Sequence, residues 1–334
     1  MDVSLLIVLV VVFALVFDLA NGWNDASNAI ATVVGTRVMA PWTAIFFGAV
    51  LNFAGAMFSS EVAKTVGREI ADPALLSPSV FLAAVVIAPA WITLCTLRGL
   101  PISCSHSLMG GLVGSVLAAA GPGALASTGI KKIVFGIFTS PVIGFLLGLL
   151  VLVLVSWLFR RMSARWASAL FGKLQILSAG AMAFSHGTGD AQKAMGMITG
   201  ALIAGNYIAL DSSGMHIPLW VRLSCAAAMG IGSAVGGWAV MRTLGSGLAH
   251  LKPYQGFAAE TGAATTILVN TLTGVPISTT HSITGAILGV GAARNLKAVR
   301  WGVGKKIFLA WVFTFPVCIV GGAVLYKIFH ALGL

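Results

Sequence analysis

The chain has 334 residues, of which 58% are apolar or aromatic and only 9% charged, with a mean hydropathy of +0.99 and a formal net charge of +11. A soluble chain of this length needs a far larger charged fraction to cover its surface, so a soluble enzyme or nucleic-acid binder is excluded. The whole chain reads as an all-α, polytopic membrane protein.

In chain order, the first apolar segment spans 3–35. Asp2 is the only early charge and no A-x-A-like cleavage site follows, so a retained span is expected rather than a signal peptide. Further apolar segments lie at 42–60, 80–98, 103–121, 133–158, 174–204, 217–239, 257–273, 278–292 and 306–328. The first and sixth carry polar motifs, and helix breaks are expected there at Gly22, Gly187 and Gly189. Gly99-Leu100-Pro101 and Gly274-Val275-Pro276 mark two further turns. Cys95, Cys104, Cys225 and Cys318 lie in apolar stretches without metal-ligand spacing and are expected to pack.

The sequence repeats itself. GLPISCSHSLMGG from Gly99 aligns with GVPISTTHSITGA from Gly274 at an offset of 175. NGWNDASNAIATVVG from Asn21 aligns with HGTGDAQKAMGMITG from His186 at an offset of 165, placing Asp25 on Asp190 and Asn28 on Lys193. A third pair begins at Lys131 and Lys305. The expected organisation is a first repeat over 1–158, a basic cytoplasmic linker over 159–173 and a second repeat over 174–334. If each P-I-S turn is the tip of a hairpin that enters and leaves on one side, each half crosses the membrane an odd number of times and the repeats are inverted.

With the N-terminus outside, twelve basic residues fall inside (Arg37, Arg160, Arg161, Arg165, Lys173, Arg242, Lys252, Arg294, Lys297, Arg300, Lys305, Lys306) and six outside. That bias is the one expected of cytoplasmic loops. Both termini are therefore expected outside, in a multi-pass protein of the plasma membrane. Inverted repeats with interrupted helices point to a secondary transporter whose site lies near the midplane between the repeats.

An ionisable side chain in the bilayer costs about 2.5–3.5 kcal/mol on insertion scales, so Asp25 and Asp190 require a function. Asn21, Asn24 and Asn28 add hard oxygen ligands near Asp25, suited to a small cation, while a carboxylate also suits a proton. Ser103 and Ser105 at one tip, with Ser278, Thr279 and Thr280 at the other, offer hydroxyls at helix starts, a cradle for an oxyanion. Asn28, Gln192 and Lys193 beside the acids, and Arg98 before the first tip, are further candidate anion contacts. His106, His281, Asp18 and Glu260 are secondary candidates.

These motifs resemble the inorganic phosphate transporter (PiT) family over nearly the full length, through NGWNDASNA, SHGTGDAQKAMG and the paired PIS-x-x-HS tips. The resemblance implies cation-driven uptake of phosphate, with some bacterial members moving a neutral metal–phosphate complex and some short members linked to sulfate. Gly189 stands where the family commonly has Asn, and Cys104 where Thr is usual, which brings H+ coupling or fewer Na+ ions, and sulfate, into consideration. The expected partners are inorganic phosphate or sulfate, a coupling Na+ or H+, the lipid bilayer and a second copy in a homodimer, with no nucleic acid and no other cofactor. Two rivals are an intramembrane aspartyl protease, whose G-x-G-D signature GTGD matches at Gly187–Asp190, and a passive anion channel.

Overall fold

The computed structural model describes residues 3–209, 215–294 and 296–334; Asp2 and the Arg294 side chain, both used above, lie outside the described set. The first half holds α1 (Val3–Gly35), α2 (Pro41–Ala56), α3 (Glu61–Lys64, running on as a π-helical turn Thr65–Glu69), α4 (Pro78–Leu97), α5 (Cys104–Ala120) and α6 (Ser127–Leu158). The second half holds α7 (Ala164–Ala204), α8 (Leu219–Val235), α9 (Trp238–Arg242, running on as a π-helical turn Thr243–Gly247), α10 (Pro253–Leu272), α11 (Thr279–Arg294) and α12 (Trp301–Ala331). Every apolar segment of the sequence is a helix, and no strand occurs among the described residues. The short α3 and α9 were not anticipated.

Local chemistry sets the ends. Pro41, Pro78 and Pro253 open α2, α4 and α10, where a missing N–H costs nothing. Gly99 (φ +65°) and Gly274 (φ +68°) reverse the chain after α4 and α10, so that α4–α5 and α10–α11 form two hairpins.

The helix breaks lie elsewhere than expected. α1 and α7 run unbroken through Gly22, Gly187 and Gly189. Two of these glycines serve close packing instead: a Cβ on Gly22 would meet the Met229 carbonyl oxygen at 2.5 Å, and one on Gly187 the Asn52 carbonyl oxygen at 2.1 Å. The interruptions fall in the next segment of each half, where α2 and α3 bend by 65° and α8 and α9 by 62°.

Packing exchanges partners between the halves. α1 lies on α8 and α7 on α2, while α5 lies on α12 and α6 on α11. The halves therefore interlock rather than form separate bodies. α1 and α7 cross antiparallel, since Gly205 at the end of α7 adjoins Ile7 near the start of α1, and the Thr36 hydroxyl at the end of α1 donates to Gln175 Oε1 at 2.8 Å.

Five helices (α1, α4, α6, α7 and α12) are long and apolar enough to cross a membrane, and up to seven spans result if each bent pair counts as one. Much of the outside is apolar, with Phe138 on α6 and Phe313 on α12 exposed, whereas Asp18, Asp25, Asp190, Glu260 and the amides of Asn21, Asn24, Asn28 and Gln192 are buried. That inside-out distribution is what a bilayer solvent selects.

Candidate functional site

The antiparallel crossing of α1 and α7 brings the repeat-related acids together. Asp25, Asp190 and His186 Nε2 lie within 4.8 Å of one another, each at most 1% exposed. Two carboxylates at that separation repel by roughly 3 kcal/mol or more at an effective dielectric near 20. The site therefore calls for positive charge.

The protein supplies part of it. Lys193 Nζ lies 2.5 Å from Asp190 Oδ1 and donates at 2.5 Å to Ser105 Oγ. His186 Nε2 lies 3.4 Å from Asp190 Oδ2 and 3.8 Å from Asp25 Oδ2. Its Nδ1 pairs with Asn52 Oδ1 at 2.8 Å, and Asn52 Nδ2 donates to Ser233 Oγ at 3.1 Å. With the amide oriented in this way, Nδ1 is the donor, so a neutral imidazole turns its Nε2 lone pair toward the carboxylates and adds a ligand for a cation rather than a charge.

Both hairpin tips end at this point. Thr280 Oγ1 lies 3.0 Å from Asp25 Oδ1 and 2.9 Å from the Ile102 carbonyl of the opposite tip. Its repeat counterpart Ser105 donates at 2.8 Å to the carbonyl of Ile277, the counterpart of Ile102. Thr279 Oγ1 lies between the acids, 3.2 Å from Asp25 Oδ2 and 3.3 Å from Asp190 Oδ2. Ser103 and Ser278 cap α5 and α11, accepting from the amides of His106 and His281 at 3.1 Å. Each tip is also held from the other half: Thr243 donates to the Gly99 carbonyl at 2.9 Å and Thr65 to the Gly274 carbonyl at 2.8 Å.

On the α1 side, Asn28 Nδ2 donates to Thr280 Oγ1 at 2.9 Å and Asn24 Nδ2 to Thr96 Oγ1 at 2.6 Å. The Oδ1 atoms of Asn21, Asn24 and Asn28 are buried and have no hydrogen-bond partner among the described residues. Unpaired buried acceptors are costly, and a bound cation or water would satisfy these oxygens; Asn21 Nδ2 is an unpaired donor beside them.

Several expected contacts are placed otherwise. Gln192 is buried but does not face the acids: its Oε1 accepts from the amides of Val62 (2.8 Å) and Ala63 (3.2 Å), and its Nε2 donates to Thr188 O at 2.5 Å. It ties α7 to the start of α3. Arg98 is exposed at the end of α4, its guanidinium 3.5 Å from the Leu94 carbonyl, so it is no part of the site. It follows the last turn of α4 and precedes the inward-running tip, which leaves its side chain at the surface.

Among the secondary candidates, His106 and His281 pack edge to face with ring centroids 4.7 Å apart, and His281 lies 3.8 Å from the Trp311 ring. Both imidazoles line an apolar groove of about 830 Å³ between α6 and α12. Asp18 lies against Cys225 of α8, two turns before Asp25. Glu260 forms its own buried cluster, accepting from Thr32, Ser178 and Gln175 Nε2 (3.2 Å) and so joining α1, α7 and α10. His186 was missing from the candidate list, although its place one turn before Asp190 and opposite Asn21 in the repeat was a signal for it. Asn52 and Thr96 left no comparable signal.

The protease reading, which takes Asp18 as the second acid beside Asp190, fails on this geometry. The acid beside the Asp190 of the GTGD motif is Asp25, shared through Thr279 with a tip hydroxyl, and not Asp18.

Both the sequence and the fold match known proteins. Residues 21–322 match the model of the phosphate transporter family. The chain belongs to that family. A probable low-affinity inorganic phosphate transporter of Rhizobium meliloti is 44% identical over 98% of this chain and 98% of its own length. One from Bacillus subtilis is 41% identical over 99% of each chain. A solved structure, the sodium-dependent phosphate transporter, has a TM-score of 0.90 at 25% identity and covers 98% of this chain and 99% of that one. These relatives of the family are named as transporters rather than enzymes, and this chain is a multi-pass membrane protein.

Proposed function

We propose that the protein imports inorganic phosphate together with a cation across the plasma membrane, by alternating access to a site shared between two inverted halves. One observation carries the reading: two buried acids, Asp25 and Asp190, lie within 4.8 Å of His186 Nε2 and of each other, where both hydroxyl-bearing tips converge. The names of its relatives, inorganic phosphate transporters, support phosphate as the anion. The antiparallel crossing of α1 and α7 supports inversion, and the charge bias of the loops supports an orientation with both termini outside.

Coupling follows from electrostatics. Moving an anion into an inside-negative cell costs about 2.3 kcal/mol per charge per 100 mV, and a co-moving cation cancels that cost. The acids repel the anion until a cation is bound beside them, which orders the binding steps. Three unpaired amide oxygens at Asn21, Asn24 and Asn28 favour Na+ over H+, because amides do not hold a proton at neutral pH. The tip hydroxyls of Ser105, Thr279 and Thr280 and the first free amides of α5 and α11 then meet the phosphate oxygens. The side chains of Ser103 and Ser278 hold those helix starts in place. With every one of these residues buried, the site is closed to both sides, and the hairpin tips are the elements whose release opens it.

The test is uptake of labelled phosphate and sulfate into liposomes, with Na+ and pH gradients imposed separately. Sodium-driven phosphate uptake, lost in Asp25→Asn, is expected. Uptake driven only by a pH gradient would replace Na+ by H+, and stronger competition by sulfate than by phosphate would replace the substrate. Gradient-independent flux that persists in Asp25→Asn would identify a channel and end the symport reading.

A further inference from the structure

The two halves meet at the centre as near copies, and their differences fall on one side. Asp25 has Asn21, Asn24 and Asn28 around it in sequence; the repeat counterparts around Asp190 are His186, Gly189 and Lys193. Thus three amide oxygens on one side are replaced by an imidazole, a hydrogen and an ammonium on the other. The tips differ in the same sense. Thr279, which reaches both acids, has Cys104 as its counterpart, a poorer oxygen-site ligand.

The geometry shows what stands in for the missing oxygens. Asn28 Nδ2 donates to Thr280 Oγ1 at 2.9 Å, and Lys193 Nζ donates to the matching Ser105 Oγ at 2.5 Å. Lys193 performs the same hydrogen bond as Asn28 but carries a charge, which it places 2.5 Å from Asp190 Oδ1. Asp25 has no such partner: its nearest nitrogen in an ion-pair position is His186 Nε2 at 3.8 Å. Position 189 offers no side-chain ligand atom, and a Cβ there would meet the Thr271 hydroxyl at 3.0 Å and the Ile267 methyl at 3.7 Å.

We propose that the Lys193 ammonium is a built-in counter-ion that permanently occupies the second half's cation position, so that a single exchangeable cation, held on the Asn21, Asn24, Asp25 and Asn28 side, accompanies each phosphate. This rests on the symport reading above and adds the cation number to it. The charges balance accordingly. Asp25 and Asp190 contribute two negative charges, Lys193 one positive charge, and the His186 imidazole, with its proton on Nδ1 toward Asn52, none, so one mobile cation brings the emptied site to neutrality before the anion enters. A tethered ammonium cannot leave with the substrate, whereas an ion held by amide oxygens can. Lys193 also retains a third N–H, available to the phosphate once it arrives.

The experiment compares wild type with Gly189→Asn/Lys193→Asn, which rebuilds around Asp190 the Asn-Asp-x-x-Asn arrangement of Asp25. Sodium and phosphate fluxes are measured together in proteoliposomes with ²²Na+ and ³²P; where a pH gradient drives uptake, proton flux replaces sodium flux. Neutralising the buried acids predicts about one cation per phosphate in wild type and about two in the double variant, with the Hill coefficient for the cation rising in parallel. A wild-type ratio of two or more, or an unchanged ratio in the variant, overturns the inference. A second variant covers failure of the first to fold. Asn28→Lys fills the remaining position with a tethered charge, and phosphate binding measured calorimetrically should then no longer depend on the cation; dependence equal to wild type overturns the inference as well. Absence of any gradient-driven uptake in wild type would instead defeat the symport reading, and is read in a separate arm.

Discussion

Asp25 and Asp190 share one hydroxyl: Thr279 Oγ1 stands 3.2 Å from Oδ2 of the first and 3.3 Å from Oδ2 of the second. The two acids come from different halves of the chain, and the hydroxyl comes from a hairpin tip. Movement of that tip therefore changes the surroundings of both acids at once.

Replacing Thr279 tests this. A hydrogen bond to a charged group contributes about 1.5–3 kcal/mol, so Thr279→Ala is expected to lower cation-driven uptake by roughly tenfold or more. Thr279→Ser keeps the hydroxyl and is expected to stay near wild type. Equal loss in both variants would mean that the methyl group, not the hydroxyl, matters.

The close contact at Gly187 makes a prediction about stability. A Cβ there falls 2.1 Å from the Asn52 carbonyl oxygen, a backbone atom that cannot step aside without moving α2. Gly187→Ala should destabilise by about 1–3 kcal/mol, the usual cost of overpacking. Gly302, on α12, meets nothing within 4 Å, so Gly302→Ala serves as a control with no loss in thermal melts in detergent.

Glu260 joins three helices through Thr32, Ser178 and Gln175. Truncation to Ala strands these buried groups, each at a cost of about 1–3 kcal/mol, and a large fall in melting temperature is expected. Glu260→Gln retains most of the partners and should melt close to wild type.

Thr65 and Thr243 hold the hairpin tips by the carbonyls of Gly274 and Gly99. Thr65→Val and Thr243→Val leave the site's side chains intact while loosening the tips. Maximal transport rate should change several-fold while the phosphate KM stays within about twofold, as expected where a conformational step limits turnover. A large KM change with unaltered rate would assign these residues to binding instead.

Arg98 is exposed and remote from the acids. Arg98→Ala should leave uptake within about twofold of wild type, as surface substitutions generally do.

The apolar segments and the two acids that meet were legible in the residues alone, because bilayer solvation leaves direct marks on composition and makes a charged residue inside an apolar run conspicuous. Helix continuity was not. Gly22 and Gly187 look like breaks in a one-dimensional reading, yet each is a place where a neighbouring backbone comes within reach of a missing Cβ. The actual bends lie at Met57–Ser60 and Gly236–Gly237, the second on a glycine pair that is itself a turn signal.

Which polar residues converge was decided only in three dimensions. Gln192, Lys193 and His186 sit within eight positions of one helix, and their spacing alone does not say that Gln192 turns to α3, Lys193 to Ser105 and His186 to both acids. Those directions depend on which helices pack against each face of α7, and α2, α3 and α5 all come from the other half of the chain. Sequence sets the chemistry carried by each helix; long-range packing sets which groups meet, because a side chain's partner is fixed by the neighbouring element rather than by its own.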